Sequence, residues 1–238
     1  MVSRQLSAYR GELSAKEVAD GINTAIRNAK RLAADAKLML DAKRYPTAAS
    51  LAIISIEETE KVSTLRAMSV AQSKDELAQA WEDYRGNRPQ GTAWIAAELD
   101  AKGAGHLSGF SEAMEKDDHH PGMLAILKRL GVHTECYRKG YWSEPAVVID
   151  ANAAAVLVRI AEQACAKNEI SDREIALWVE HVGPAWHSSK MPDALLKWAQ
   201  AKEEEGLIKP NEDDMQRIGV DMLDASSADD ERRKKCRH

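Results

Sequence analysis

The stretch A-K-R-Y-P-T-A-A-S-L-A-I-I-S-I-E-E-T-E-K, residues 42–61, is the most informative segment of the sequence. Residues 48–56 are apolar except for two serines, so a helix formed by them would be apolar on every side and would lie at the centre of a core. Pro46 suits the first turn of such a helix, because its missing amide hydrogen is not needed there. The stretch therefore predicts a central helix from about Pro46 to Val70.

The segment before this stretch predicts a long partner helix. Ser14 and Glu17 have the spacing of a capping box, in which each side chain accepts a hydrogen bond from the other residue's backbone amide. Apolar residues then recur at alternating steps of four and three, at Val18, Ile22, Ala25, Ala29, Leu32, Ala36 and Met39. This pattern predicts a helix from Ala15 to about Lys43. Because the connection to the central helix is short, the two helices should form an antiparallel hairpin.

The rest of the chain favours further, shorter helices. A second S-x-x-E box begins at Ser73 and a third at Ser171. Helices are predicted over about 73–85, 94–99, 123–130, 145–167, 172–182 and 192–205, with a partly extended segment at 133–145. The predicted class is all-α: a helical bundle built on a long antiparallel helix hairpin, with a small helical C-terminal extension. The expected organisation is a helical domain at 1–168, the extension at 169–224 and a disordered tail at 225–238.

Composition and motifs exclude several classes of protein. The three cysteines, Cys136, Cys165 and Cys236, are odd in number and far apart, which argues against a disulfide framework or a zinc ribbon. No apolar stretch is long enough to span a bilayer, and the N-terminus lacks the apolar core of a secretory signal. We therefore expect a cytoplasmic location and no membrane partner. No phosphate-binding, dinucleotide-binding, serine-hydrolase or zinc-protease motif occurs, so no cofactor or metal is expected.

Three charged residues stand at the end of the apolar stretch. Glu57 and Lys61 are four residues apart, which favours an ion pair on the helix surface. Glu58 shares a helical stripe with Leu51 and Leu65, so it is predicted to face the core. A buried carboxylate needs a basic or hydrogen-bonding neighbour. Glu58 is therefore either an acid that closes the end of the core or one that orients a catalytic or RNA-contacting basic residue.

Several blocks of the sequence also occur together, in this order, in a known family. They are Tyr45-Pro46-Thr47-Ala48 with Ile56-Glu57-Glu58-Thr59-Glu60-Lys61, Trp81-Glu82-Asp83-Tyr84-Arg85, His120-Pro121, Lys128-Arg129-Leu130-Gly131 and Trp142-Ser143-Glu144-Pro145. Their ordered combination resembles the AbiV abortive-infection family of the HEPN superfamily. The likeness covers about residues 15–168.

The resemblance implies a HEPN-like helical bundle in a bacterial defence protein that halts phage propagation, acting on RNA or translation. It also implies a homodimer, and many HEPN proteins are metal-independent endoribonucleases with an R-x(4–6)-H motif. In that chemistry a histidine takes the proton of a ribose 2′-hydroxyl while an arginine holds the phosphate. The resemblance points to candidate catalytic residues Arg85, His119 and His120, with a supporting shell of Glu57, Glu58 and Lys61.

The R-x(4–6)-H spacing itself occurs only at the end of the chain, between Arg232 or Arg233 and His238. Arg129 and His133 are one residue too close. The lack of this motif in the rest of the chain favours a second hypothesis, a non-catalytic helical interaction module that binds and blocks a host or phage partner. A helical scaffold unrelated to defence is a third.

The candidate catalytic residues also have simpler interpretations. His119 and His120 can form a turn and helix cap together with the two aspartates that precede them. Arg85 can be a surface arginine paired with Glu82 or Asp83, since such pairs are common on helices. The sequence leaves these roles open beside the functional ones.

Overall fold

The computed structural model describes residues 8–86, 123–137 and 140–207. In these ranges the elements are α1 (Ala15–Asp41), α2 (Tyr45–Ser69), α3 (Lys74–Gly86), α4 (Met123–Leu130), β1 (Glu135–Tyr137), β2 (Tyr141–Ser143), α5 (Pro145–Val148), α6 (Ala151–Ala164), α7 (Asp172–His181), a 3-10 helix (Gly183–Ala185) and α8 (Met191–Glu204). The predicted all-α class is confirmed. The helix predicted at 94–99, His119, His120 and the tail at 225–238 lie outside the described residues. Within those residues, no helix combines the length and the apolar character needed to cross a membrane.

The two long helices form the predicted antiparallel hairpin. The capping box is present at its start: the Ser14 amide donates to Glu17 at 2.8 Å, and the Glu17 amide donates to the Ser14 hydroxyl at 3.3 Å. Further along, the Ser55 hydroxyl of α2 donates to the Ala29 carbonyl of α1 at 2.8 Å. Nearer the start of α1, a side-chain carbon at Gly21 would lie 3.3 Å from the Leu65 side chain of α2. The contact earlier in α1 is thus made later in α2, which is the antiparallel order. The predicted apolar stripe of α1 is buried from Val18 to Ala36.

The described residues group into two compact units. The tryptophan unit consists of residues 8–23, 62–86 and 170–207. The alanine unit consists of residues 24–61, 123–137 and 140–169. Each name describes the unit's core, and α1 and α2 contribute residues to both units. The boundary predicted at residue 168 stays a prediction.

Small side chains fill the core of the alanine unit. Alanines of α1 and α2 meet larger aliphatic residues of α2, α4 and α6, including Ala29, Ala33, Ala36, Ala48, Ala49, Ala52, Ile53, Leu124, Leu127, Leu130 and Leu157. Alanines allow helix backbones to approach closely, while the larger residues supply most of the apolar area removed from water.

The helix predicted over 145–167 is divided into α5 and α6, so that prediction is wrong in its continuity. Ile149 ends α5 with an extended backbone and a fully buried side chain. The Asp150 carboxylate then accepts a hydrogen bond from the Ala153 amide at 2.8 Å and caps α6. An aspartate cap satisfies amides that a continuing helix would bond internally, so it favours a new helix start.

The partly extended segment predicted before Pro145 is confirmed as a short hairpin. Strands β1 and β2 pair antiparallel, with Cys136 opposite Trp142 and Glu135 opposite Ser143. Ser143 is buried and its hydroxyl accepts from the Glu135 amide at 2.9 Å. Trp142, by contrast, is 68% exposed.

Aromatic side chains form the core of the tryptophan unit. Trp178 of α7 and Trp198 of α8 are almost completely buried, and their rings meet edge to face at 5.0 Å. Val70, Leu177 and Val182 pack with them. Edge-to-face contact is a favourable geometry for aromatic rings and adds to the gain from their large buried area.

Candidate functional site

A buried ion pair joins α2 to α4 in the alanine unit. The two carboxylate oxygens of Glu57 lie 2.6 and 2.8 Å from the Lys128 ammonium. The Glu57 side chain is 2% exposed, whereas that of Lys128 is 29% exposed. Because a buried carboxylate is costly without a cation or hydrogen-bond donor, this contact fixes the position of α4 along α2.

The structure reverses the roles predicted for the two neighbouring acids. Glu57 was expected to pair with Lys61 at the surface and Glu58 to face the core, and both expectations are wrong. It is Glu58 that pairs with Lys61, at 2.5 Å, on a half-buried side of α2. The buried side of α2 instead follows Ala49, Ile53 and Glu57.

Close backbone packing holds α4 in register with Glu57. Gly131 follows α4, and a side-chain carbon at this position would lie 2.8 Å from the Pro46 carbonyl and even closer to the Ser50 hydroxyl. The Ser50 hydroxyl itself lies 3.0 Å from the Pro46 carbonyl and 3.3 Å from that of Lys128. Both ends of this contact come from sequence blocks that carry the family resemblance.

Arg85 lies in the tryptophan unit, where it holds the start of the described chain against α3. Its guanidinium donates to the Tyr9 carbonyl and lies 4.9 Å from the centre of the Trp81 ring. The Trp81 indole donates to the Gly11 carbonyl at 3.0 Å. Neither of the acids expected as surface partners of Arg85 is seen with it, and Glu82 instead lies 4.0 Å from Arg10. A phosphate-contacting role for Arg85 stays a prediction.

The candidate residues are therefore distributed between the two units. Glu57, Glu58 and Lys61 belong to the alanine unit and Arg85 to the tryptophan unit. His119 and His120 lie outside the described residues. Among the described residues, no group of three or more histidine, cysteine, aspartate or glutamate side chains is placed to hold a metal ion.

Sequence reasoning missed Lys128 as the partner of Glu57. The two residues are 71 positions apart, and helical spacing says nothing about contacts at that distance along the chain. The only signal was that both stand in blocks that resemble the same family. The resemblance alone did not show that these blocks touch.

A second polar cluster, in the tryptophan unit, was also missed. Glu76, in the first turn of α3, accepts from the Gln72 amide at 2.8 Å and from the Trp186 indole at 2.7 Å. The His187 imidazole lies 2.9 Å from the same carboxylate. Burial favours a higher pKa for Glu76, but the hydrogen bonds from these three groups outweigh it and hold the pKa below its ordinary value.

Only one of the two hydrogen bonds predicted for the Ser73 capping box is present in its expected form. The Glu76 amide does donate to the Ser73 hydroxyl, at 3.1 Å. The return bond goes from the Gln72 amide to Glu76 rather than from Ser73. The Ser171 box is similar, because the Glu174 amide donates to Ser171 while the Glu174 carboxylate binds cations on other helices.

Comparison with known proteins identifies a family for most of the chain. A HEPN-type family model described as AbiV matches residues 17–166. This segment includes Glu57, Lys128 and all the helices from α2 to α6 that the structure describes. No significant match was found among curated proteins, and none among solved structures.

Proposed function

The chain belongs to the AbiV family of HEPN-type proteins, which implies an abortive-infection role in phage defence, and we propose that it performs this role by acting on RNA or translation. The family match over residues 17–166 is the observation that supports this function. The proposed setting is the cytoplasm, where both the transcripts and the ribosomes of an infected bacterium are found.

The proposed chemistry is metal-independent cleavage of RNA. A histidine, His119 or His120, would take the proton of a ribose 2′-hydroxyl as its oxygen attacks the adjacent phosphorus. The 5′-oxygen leaves with the proton that the histidine has taken, and the products carry a 2′,3′-cyclic phosphate and a 5′-hydroxyl. Arg85 would hold the phosphate oxygens, which its forked guanidinium suits. No oxidant, reductant or metal is needed for this step.

Glu57, Glu58 and Lys61 are proposed as supporting residues and not as groups that touch the substrate. Glu57 binds Lys128 of α4, and α4 begins three residues after His120 in the chain. We propose that this contact supports the site through α4. Glu58 and Lys61 are paired with each other on a half-buried side of α2, where they stabilise the helix.

The alternative is a non-catalytic module that binds and blocks a host or phage partner. Two observations favour it. The R-x(4–6)-H spacing occurs only between Arg232 or Arg233 and His238, and Arg85 donates to the Tyr9 carbonyl beside the Trp81 ring. An arginine engaged in this way would have to leave its contacts before binding a phosphate.

We also propose that the working form is a homodimer, as is common for HEPN-type domains. Light scattering on the purified chain should then give about twice the protomer mass of 26.3 kDa at micromolar concentration. A mass equal to that of one protomer over the whole micromolar range would contradict the dimer but leave the RNA proposal standing.

Purified protein incubated with total RNA in the presence of EDTA tests the proposed function. The enzyme proposal predicts fragments with 2′,3′-cyclic phosphate ends, and loss of these fragments on replacing His119 and His120 by alanine. His133→Ala is the matched control, because His133 is an exposed histidine of the alanine unit. RNA binding without fragments, or cleavage unaffected by loss of both histidines, would favour the binding module or another site.

A further inference from the structure

Helices α7 and α8 lie beyond residue 166, where the family match ends, yet they contact helices inside the matched segment. The contacts are polar and specific, and each of α1, α2 and α3 supplies one side chain to them. These side chains are Asn23, Arg66 and Glu76. All of them belong to the tryptophan unit.

The first contact joins α1 to Ile170, two residues before the start of α7. The Asn23 amide nitrogen donates to the Ile170 carbonyl at 2.8 Å, and the Ile170 backbone amide donates to the Asn23 carbonyl oxygen at 2.8 Å. One side chain thus satisfies both backbone groups of one residue. This arrangement fixes the position at which the chain enters the C-terminal helices.

The second contact is a buried group of charges between α2, α7 and α8. Glu174 lies 3.0 Å from the Arg66 guanidinium and 3.7 Å from the Lys202 ammonium. The Arg66 guanidinium is 5.2 Å from the centre of the Trp198 ring and 5.8 Å from that of Trp178. Lys202 lies 3.8 Å from the Trp198 ring. Each cation thus has both a carboxylate and an aromatic face as neighbours.

The Trp178 indole adds a hydrogen bond to the backbone of α2. It donates to the Arg66 carbonyl at 3.1 Å. That carbonyl belongs to the last turn of α2, where it also accepts from the Ser69 hydroxyl at 2.7 Å. Helix α7 therefore adds a second donor to this carbonyl, besides the carboxylate that pairs with the Arg66 guanidinium.

The third contact joins α3 to the turn between α7 and α8. Glu76 binds the indole of Trp186 and the imidazole of His187. His187 has a positive φ of 58°, a left-handed backbone conformation that residues other than glycine seldom adopt. The bond to Glu76 is one contact that compensates for this strain.

We propose that α7 and α8 form a brace, which we define as a part of the fold that holds other helices in place. Without it, residues 62–69 of α2 and the start of α3 would lose their fixed positions. The reason lies in the buried charges. With Glu174 removed, Arg66 and Lys202 would remain as two cations in an apolar, tryptophan-lined interior without this carboxylate between them. The resulting cost falls on α2 and α8 together, because each contributes one of the cations.

The brace has a distinctive consequence for local stability. If α7 and α8 were an appendage, loosening them would leave residues 62–69 of α2 as protected as before. If they are a brace, residues 62–69 and 172–204 open together as one cooperative unit. Amide hydrogen exchange on the full chain distinguishes these outcomes.

The test compares two adjacent residues of α7. Glu174→Met should speed exchange of the amides at 62–69 on the order of 100-fold, alongside those of α7 and α8. Arg173→Met is the matched control, because Arg173 pairs with Glu205 at the exposed surface, and this variant should leave residues 62–69 unchanged. Faster exchange confined to 172–204 in Glu174→Met would overturn the proposal.

A milder variant keeps the test decisive if Glu174→Met does not give soluble protein. Trp198→Phe retains an aromatic ring in the core but weakens the stacking of both cations, since tryptophan is the better partner. Residues 62–69 should again lose protection together with α7 and α8. Protection of 62–69 equal to that of the wild type, with α8 loosened, would overturn the brace. The test involves no RNA or phage, so its failure is separate from any failure of the proposed function.

Discussion

The alanine unit and the tryptophan unit both join helices through a buried glutamate, but the core residues around that glutamate differ. Each contains a buried glutamate that binds a cation on another helix: Glu57 with Lys128, and Glu174 with Arg66. In the alanine unit both partners lie inside the matched segment, and the core around them is aliphatic. In the tryptophan unit Glu174 and the core indole rings of Trp178 and Trp198 lie beyond it. One unit is thus completed by the family's own segment, whereas the other depends on added helices.

This difference predicts opposite sensitivities. Close packing of small side chains tolerates added volume poorly, because backbones already touch. A core built from a few large rings tolerates lost volume poorly, because each ring supplies much of the buried area. Substitutions that add atoms in the alanine unit or remove atoms in the tryptophan unit therefore test this difference.

The largest effect is expected from Trp198→Ala in the tryptophan unit. Trp198 is almost completely buried and lies against Trp178, Arg66 and Lys202. The substitution should lower the free energy of unfolding by about 3–5 kcal/mol through cavity formation. Chemical denaturation measures the change. Trp142→Ala is the control, because that exposed tryptophan should contribute about 0.5 kcal/mol or less.

Glu57→Ala should have the next largest effect, in the alanine unit. Loss of the carboxylate leaves the Lys128 ammonium beside an apolar core, although its partial exposure lets it turn towards water. We expect a loss of about 2–3 kcal/mol in unfolding free energy. Glu58→Ala should cost about 1 kcal/mol or less, because Glu58 pairs only across one turn of its own helix. Equal losses in thermal melts of the two variants would contradict the assignment of Glu57 as the interhelical acid.

Adding one methyl group at Gly131 should also destabilise the alanine unit. The new carbon would meet the Pro46 carbonyl at 2.8 Å, so α4 would have to move away from α2. The expected loss in unfolding free energy is about 1–3 kcal/mol. Gly183→Ala in the tryptophan unit is the control, because there the added carbon would lie 3.6 Å from Val70, an ordinary contact. A larger loss at Gly183 than at Gly131 would break the comparison between the units.

The smallest effect is a dependence on pH in the tryptophan unit. The pKa of Glu76 is lowered in the folded protein, so its stabilising contribution is complete above its unfolded pKa near 4.5 and is lost as the pH falls through the folded value. Glu76→Gln should therefore reduce the loss of stability on acidification below about pH 4.5. Denaturation at several pH values tests this, with Glu204→Gln as an exposed control. Parallel curves for the wild type and Glu76→Gln would show that the carboxylate does not contribute in this way.

The sequence predicted the parts of the fold that depend on local spacing. The stripe of α1 and its capping box are correct because an amphipathic helix shows which side it buries. Residues 48–56 of α2 are apolar on every side, so the orientation of Glu57 and Glu58 could not be read from them. That orientation is set by α4, whose Lys128 approaches Glu57 from far along the chain. The division between α5 and α6 was missed for a similar reason, because the burial of Ile149 depends on tertiary packing.

The candidate site was predicted in outline only. The resemblance pointed to the acids of α2, and the structure supplied their partners. The glutamates of the Ser73 and Ser171 boxes appeared from spacing to be local caps. The Glu76 carboxylate also binds Trp186 in the turn between α7 and α8, and the Glu174 carboxylate binds Arg66 of α2, since a carboxylate can satisfy several donors and tertiary contacts compete for it.

The efficiency of phage plating on bacteria that express the chain measures the proposed defence role itself. Cells with the wild-type chain should support fewer plaques than cells without it. Glu57→Ala, compared at equal protein level, should lose this protection, while Glu58→Ala should retain it, because Glu57 binds Lys128 of α4 whereas Glu58 pairs within its own helix. A wild-type chain that leaves plaque numbers unchanged would contradict the defence role. Protection retained equally by both variants would contradict the role of the Glu57–Lys128 pair in it.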